Sequence, residues 1–189
     1  MKAFLNDEKV KKNYLNRVKA HQVADEIIRG RYWSGGKGCA VGCTIHSSNH
    51  NAYEKELGIP EWLAYIEDSL FEGMSVDKSK EWPFRFLNAI KVGVDLNKIQ
   101  APFQILVLEN CLKTLDGLNF TDEKFPDVIK CIAESKSVVK EVIELWKKYP
   151  KGPASAARAD SVARADSVDR TKTFDYFADE LIKLIEGCK

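Results

Sequence analysis

The sequence predicts an all-α fold: a single compact multi-helix domain with a glycine-rich loop near the N-terminus and a small-residue helix at the C-terminus. Apolar residues recur at helical spacing along most of the chain, and alternating strand patterns are scarce. Glycine or proline stands where the periodic runs begin and end, at Gly30, Pro60, Gly73 and the Lys151-Gly152-Pro153 break.

The first helix is expected between Asp7 and Ile28. At roughly 100° per residue, Val10, Tyr14, Val18 and Ile28 share one face, and His21 and Asp25 fall on it as i,i+4 neighbours. The stretch YWSGGKGCAVGCTIHSSNH follows, crowding four glycines, two cysteines and two histidines together. If helical, it and the residues after it carry Cys39, Cys43, His46, His50, Tyr53 and Leu57 on one face, with Ser47-Ser48-Asn49 breaking it into two short helices. LGIPEWLAYIEDSLFEGM reads as the next helix, with Pro60 in its first turn. Leu63, Ile66, Leu70 and Phe71 form its apolar arc; Glu67 falls inside that arc, and Asp68 and Glu72 point away.

Further helices are expected at Trp82 to Ile90, Pro102 to Leu115, Asp122 to Ala133 and Ser137 to Tyr149, with a short hairpin around Val92 to Leu96. Residues 1–150 then form a core domain, and a C-terminal helix over 154–187 packs on it. That helix holds ARADSV twice, at 157–162 and 163–168. A six-residue step turns roughly 600°, which spreads small residues all round the helix. Asp160 with Arg164, and Asp166 with Arg170, are i,i+4 pairs of opposite charge. A closely packed structural helix is the expectation, and a partner-binding arm the alternative.

With 29 Lys plus Arg against 28 Asp plus Glu, no bulk charge draws the chain to nucleic acid or to an anionic membrane. No apolar run reaches the roughly twenty residues of a spanning helix, and MKAFLNDEKVKKNY turns polar before a signal-peptide core could form. A cytoplasmic location is expected. Five cysteines, an odd number without a secretory context, read as reduced thiols.

Polar residues on inward faces must find partners, because a buried unpaired polar group costs roughly 1–3 kcal/mol. Each candidate also has a plain structural role: cysteine as a small core hydrophobe, and His21 with Asp25, or Glu67, as satisfied core pairs. Three chemical readings stand beside it. SGGKG before a helix start offers Gly36, Lys37 and Gly38 to a phosphate, although Gly38 after the lysine departs from the P-loop pattern. The C-x3-C-x2-H-x3-H spacing admits a divalent metal, with His21, Asp25 or Glu67 completing ligands that one helix cannot wrap. Cys39 at a helix start beside Lys37 could serve as a thiolate nucleophile with His46 or His50 as base.

The run from RVKAHQVADEIIRGRYWSGGKGCAVGCTIHSSNHNAYEKELGIPEW to WPFRFLNAIKVGVDL, residues 17 to 96, resembles a family of small bacterial and phage proteins without an assigned activity. The motif GKGCAVGCxxHxxxHxxYE carries the resemblance, together with alanine-, serine- and arginine-rich C-terminal helical repeats. It implies that His21, Asp25, Lys37, Cys39, Cys43, His46, His50, Glu54 and Glu67 act as one unit. The expected function is binding, and where turnover occurs hydrolysis, of a phosphorylated small molecule or nucleotide. Lys37 with Gly36 and Gly38 would hold the anion, His46 or Glu67 would act as general base, and His21, Asp25, His50 and Glu54 would contact ligand or metal. The alternative is a non-enzymatic phage or bacterial interaction protein, a host-defence inhibitor that sequesters a nucleotide signal or blocks a protein partner.

Overall fold

The computed structural model of the chain describes residues 1–118, 124–150 and 170–189. These residues are predominantly helical, as the periodicity predicts, with one small hairpin. The chain divides into two compact units, Met1–Ile99 with Asp166–Lys189, and Gln100–Ala165. The ARADSV repeat and the ion pairs expected on it lie outside the described residues. Among the described residues no helix is long and apolar enough to cross a membrane.

In the first unit, α1 (Glu8–Val23) starts at Asp7, whose side chain accepts a hydrogen bond from the Lys9 amide. It ends earlier than the periodicity suggests. Asp25 takes the left-handed conformation (φ 54°), the Glu26 amide donates to the His21 carbonyl, and the Asp25 amide donates to Gln22. This is the αL stop more often built on glycine; aspartate tolerates it better than most residues. The capping turn removes Asp25 from the His21 face.

The hairpin pairs β1 (Trp33–Ser34) with β2 (Lys37–Gly38). Gly35 and Gly36 make its two-residue turn, both at positive φ, as the twist of a tight hairpin demands. The hairpin expected around Val92 to Leu96 is absent: the Gly93 amide and the Val94 carbonyl instead bond Ala3. Helix α2 (Ala40–Ile45) is wholly buried and packs on α1, α3 (Glu61–Gly73) and α4 (Val76–Ala89). Between α2 and α3, a π-helical turn spans Tyr53–Leu57 and stops at Gly58. Helix α4 begins six residues before the expected Trp82 start, and Pro83 sits in its interior. Helix α7 (Arg170–Glu186) packs on α3 and α4; any β-carbon on Gly73 would lie 2.3 Å from the Phe174 ring.

The second unit pairs α5 (Gln100–Gly117) with α6 (Pro126–Lys148) around Ala101, Leu108, Ile143 and Trp146. The two helices expected over Asp122 to Ala133 and Ser137 to Tyr149 are one continuous α6, because no glycine or proline interrupts residues 127–148.

Candidate functional site

The glycines at the hairpin and α2 are required by backbone packing. A β-carbon on Gly38 would come within 2.1 Å of the Tyr32 carbonyl oxygen, and one on Gly42 within 1.5 Å. The same carbonyl accepts from the Cys39 amide at 3.2 Å, so Tyr32 is clamped across the start of α2. Cys39 caps the helix, its Sγ accepting from the Gly42 amide at 3.4 Å, and the Cys43 thiol donates to the Gly38 carbonyl at 3.3 Å. Burial pushes both thiols up, Cys43 to about 12, and Asp68 raises Cys39 further. Both are therefore poor nucleophiles. Lys37 is exposed on the hairpin. The expected cradle of Gly36, Lys37 and Gly38 before a helix is thus a tight hairpin with its turn accounted for, followed by a six-residue buried helix.

Clamping Tyr32 sends its neighbours to different places. Trp33 stacks on His46, with ring centroids 4.4 Å apart and planes 13° from parallel. Tyr32 meets His50 edge-on at 5.5 Å. The residues expected on one continuous face accordingly form two clusters.

The first cluster faces solvent. His46 ends α2 in the left-handed conformation (φ 53°), and its Nε2 lies 2.8 Å from Nε2 of His21. His21 Nδ1 lies 2.6 Å from Glu26 Oε2. The αL turn after α1 creates this contact, since it folds Glu26 back onto the His21 carbonyl. A carboxylate only accepts, so His21 Nδ1 carries the proton; in neutral His21 the Nε2 then accepts from His46 Nε2–H. Arg17, one turn before His21, donates through Nη1 to the Thr44 carbonyl at 2.8 Å. Burial lowers the His46 pKa from 6.5, and the Arg17 and His21 charges lower it further. Asp25, expected here, is exposed and bonded to Lys80 at 2.6 Å.

The second cluster is interior. Tyr53 donates to Glu67 Oε2 at 2.5 Å, and Trp82 Nε1 donates to the Glu67 carbonyl at 3.1 Å. Glu67 is fully buried, as its helical position predicts. Burial raises its carboxyl to about 8, Asp68 adding to the rise, and Tyr53 is pushed well above its ordinary value by burial and by Glu67. Asp68 does not point away: its Oδ2 lies 3.7 Å from His50 Nε2, too long for a hydrogen bond, and it adjoins Cys39. His50 stacks on Tyr65 at 4.3 Å. His50 Nε2, Glu67 Oε1 and Asp68 Oδ1 are buried without hydrogen-bond partners. Glu72 points away from the core as expected, and accepts from the Gly30 amide at 2.9 Å at the surface. Glu54 caps α3 by accepting from the Glu61 amide at 3.2 Å.

Sequence reasoning missed Glu26, Arg17 and Trp33. Arg17 was signalled by its i,i−4 position to His21; Glu26 and Trp33 arrive through a capping turn and a hairpin that periodicity does not register. Among the described residues no group of three or more His, Cys, Asp or Glu side chains is disposed to hold a metal ion. Two surface grooves between α4 and α7, of about 500 and 240 Å³, are lined by residues such as Arg85, Asp175 and Asp179 and by none of the expected site residues. Comparison with protein-family models, curated proteins and solved structures finds no match to the chain.

Proposed function

We propose that the chain binds a phosphorylated small molecule or nucleotide at the Arg17–His21–His46–Trp33 cluster, and that the histidine pair is its acid–base centre. The observation that carries this is the 2.8 Å contact between two imidazoles, backed at 2.6 Å by Glu26, on an exposed residue held in a left-handed conformation. A non-glycine residue at positive φ is a local strain that persists where surrounding structure enforces it, frequently at functional sites.

The chemistry follows from the hydrogen bonds. With Nε2 committed to His21, Nδ1 of His46 is the nitrogen left to take a proton from water or a hydroxyl. As it does so, the Nε2 proton passes to His21, whose positive charge Glu26 stabilises. The lowered pKa keeps His46 neutral at pH 7, the state a general base requires. Arg17 donates to the Thr44 carbonyl and stacks over the Tyr14 ring at 4.8 Å, which holds its charge where it supports an anion beside the ring. Trp33 supplies an aromatic surface suited to a base or other planar group.

A panel of nucleotides and phosphorylated metabolites, scored for binding and for product, tests this. At least one member is expected to bind, and where product forms His46→Ala is expected to slow turnover about a hundredfold. Failure of every member to bind, with a large loss of stability in His46→Ala, contradicts it. Binding without product favours sequestration, the second reading, in which the chain is a phage or bacterial inhibitor of host defence. The exposed apolar side chains of Val128, Val138 and Leu145 on α6 favour the protein-blocking form of that reading.

A further inference from the structure

We propose that one face of α6 is a docking seam for a partner helix with basic flanks, independent of the histidine cluster. Val128, Cys131, Ser135, Val138, Val142 and Leu145 follow one another at intervals of three, four, three, four and three. That is the a/d repeat of a coiled-coil seam sustained along the whole helix. It borders the face used inside the unit, where Val139, Val142, Ile143 and Trp146 meet α5, so Val142 belongs to both. Most of the seam lies open: Val128 is 42% exposed, Val138 57% and Leu145 54%, with Cys131 exposed between them and Ser135 and Val142 half-buried. Tyr149, 53% exposed, continues the repeat just past the helix. A hollow of about 480 Å³ surrounds Leu145, bordered by Lys140, Glu141, Glu144 and Lys148, and suits an inserted side chain.

The charges beside the seam choose the partner. Asp127, Glu134 and Glu141 stand at seven-residue intervals, each immediately before an a position, and all are exposed. Among the described residues their contacts are weak: Lys130 lies 3.9 Å from Glu134, and Ser137 donates to Glu141 at 3.5 Å. The opposite edge of the seam, Val139 and Trp146, is already occupied by α5. A second copy fits poorly on both counts. Antiparallel pairing would set one acidic rail against the other, and parallel pairing would need the edge that α5 covers. A helix carrying Lys or Arg along its flanks meets the apolar seam and the acidic rail together.

Two synthetic helices of the seam's length, identical at leucine a and d positions and carrying either Lys or Glu along the flanks, provide the test. The Lys-flanked helix is expected to bind the full chain at least about tenfold more tightly, with affinity falling as salt is raised. Glu134→Lys combined with Glu141→Lys should reverse the preference, and Val138→Asp should abolish binding while far-ultraviolet circular dichroism and unfolding stay as in the wild type. Equal binding of the two helices, binding of neither, or no effect of the charge reversal overturns the proposal. So does concentration-dependent self-association of the wild type that Val138→Asp removes, which would make a second copy the occupant.

Discussion

His46 and His50 stand four residues apart in sequence and face opposite fates. His46 is exposed and has a partner: His21 on its Nε2, Trp33 beneath its ring, Glu26 one bond further on. His50 is 5% exposed, and its Nε2 lacks a hydrogen-bond partner beside an Asp68 oxygen 3.7 Å away. The difference is that of a poised group and a confined one. A histidine reachable by solvent can exchange protons with a ligand, whereas one buried against Tyr65 and beside Asp68 is out of a ligand's reach.

Gly42→Ala should break the comparison most severely, because the added carbon collides with the Tyr32 carbonyl that separates the two clusters. Loss of about 3 kcal/mol or more in chemical denaturation is expected, with both clusters disrupted. An unchanged midpoint would mean that Tyr32 is not clamped.

Glu67 sharpens the interior side. Its carboxyl rises from 4.5 to about 8 on folding, chiefly through burial, so the folded chain binds the extra proton across that window. The stability tied to this proton is present below pH 4.5 and is lost as pH rises through about 8. Glu67→Gln retains an acceptor for Tyr53 and should flatten the dependence, which amounts to on the order of 1 kcal/mol per pH unit. Glu67→Ala, which strands the Tyr53 hydroxyl, should cost about 2–3 kcal/mol below pH 4.5, and progressively less as pH rises towards 8. Identical stability–pH profiles for wild type and Glu67→Gln would remove the buried acid from the account.

His46→Ala should change stability by less than about 1 kcal/mol, since the side chain is largely at the surface. The sign of its pH effect is opposite to that of Glu67. Because the folded pKa lies below 6.5, the unfolded chain binds more protons in that range, and stability falls as pH drops below 6.5. The smallest expected effect is at the thiols: Cys39 and Cys43, buried and with raised pKa values, should label slowly in the native state and rapidly in denaturant. Fast native labelling of either would return a nucleophile to consideration.

Periodicity made α1, α3, α5 and the inward Glu67 legible in the sequence, because each is a long apolar stripe with local stop signals. It failed where a single residue overrides the repeat. Asp25 in the left-handed conformation ends α1 before Ile28 and replaces the expected His21–Asp25 pair with His21–Glu26. Gly35 and Gly36 turn a hairpin, so a segment resembling a phosphate loop positions two aromatic rings instead. The expected face from Cys39 to Tyr53 divides because His46 also adopts a left-handed backbone. Contacts created by such turns depend on φ signs that helical spacing does not encode.

The claim that the exposed pair rather than the buried cluster is the functional centre is tested most directly by nitrogen-edited NMR of the three imidazoles. The spectra would be followed through a pH titration and then through addition of the phosphorylated ligand panel. His46 is predicted to titrate below 6.5, to shift its titration when His21 is replaced by Gln, and to move together with His21 when a ligand binds while His50 stays fixed. A His46 that titrates at the free value independently of His21, or a ligand that moves only His50, would contradict the account.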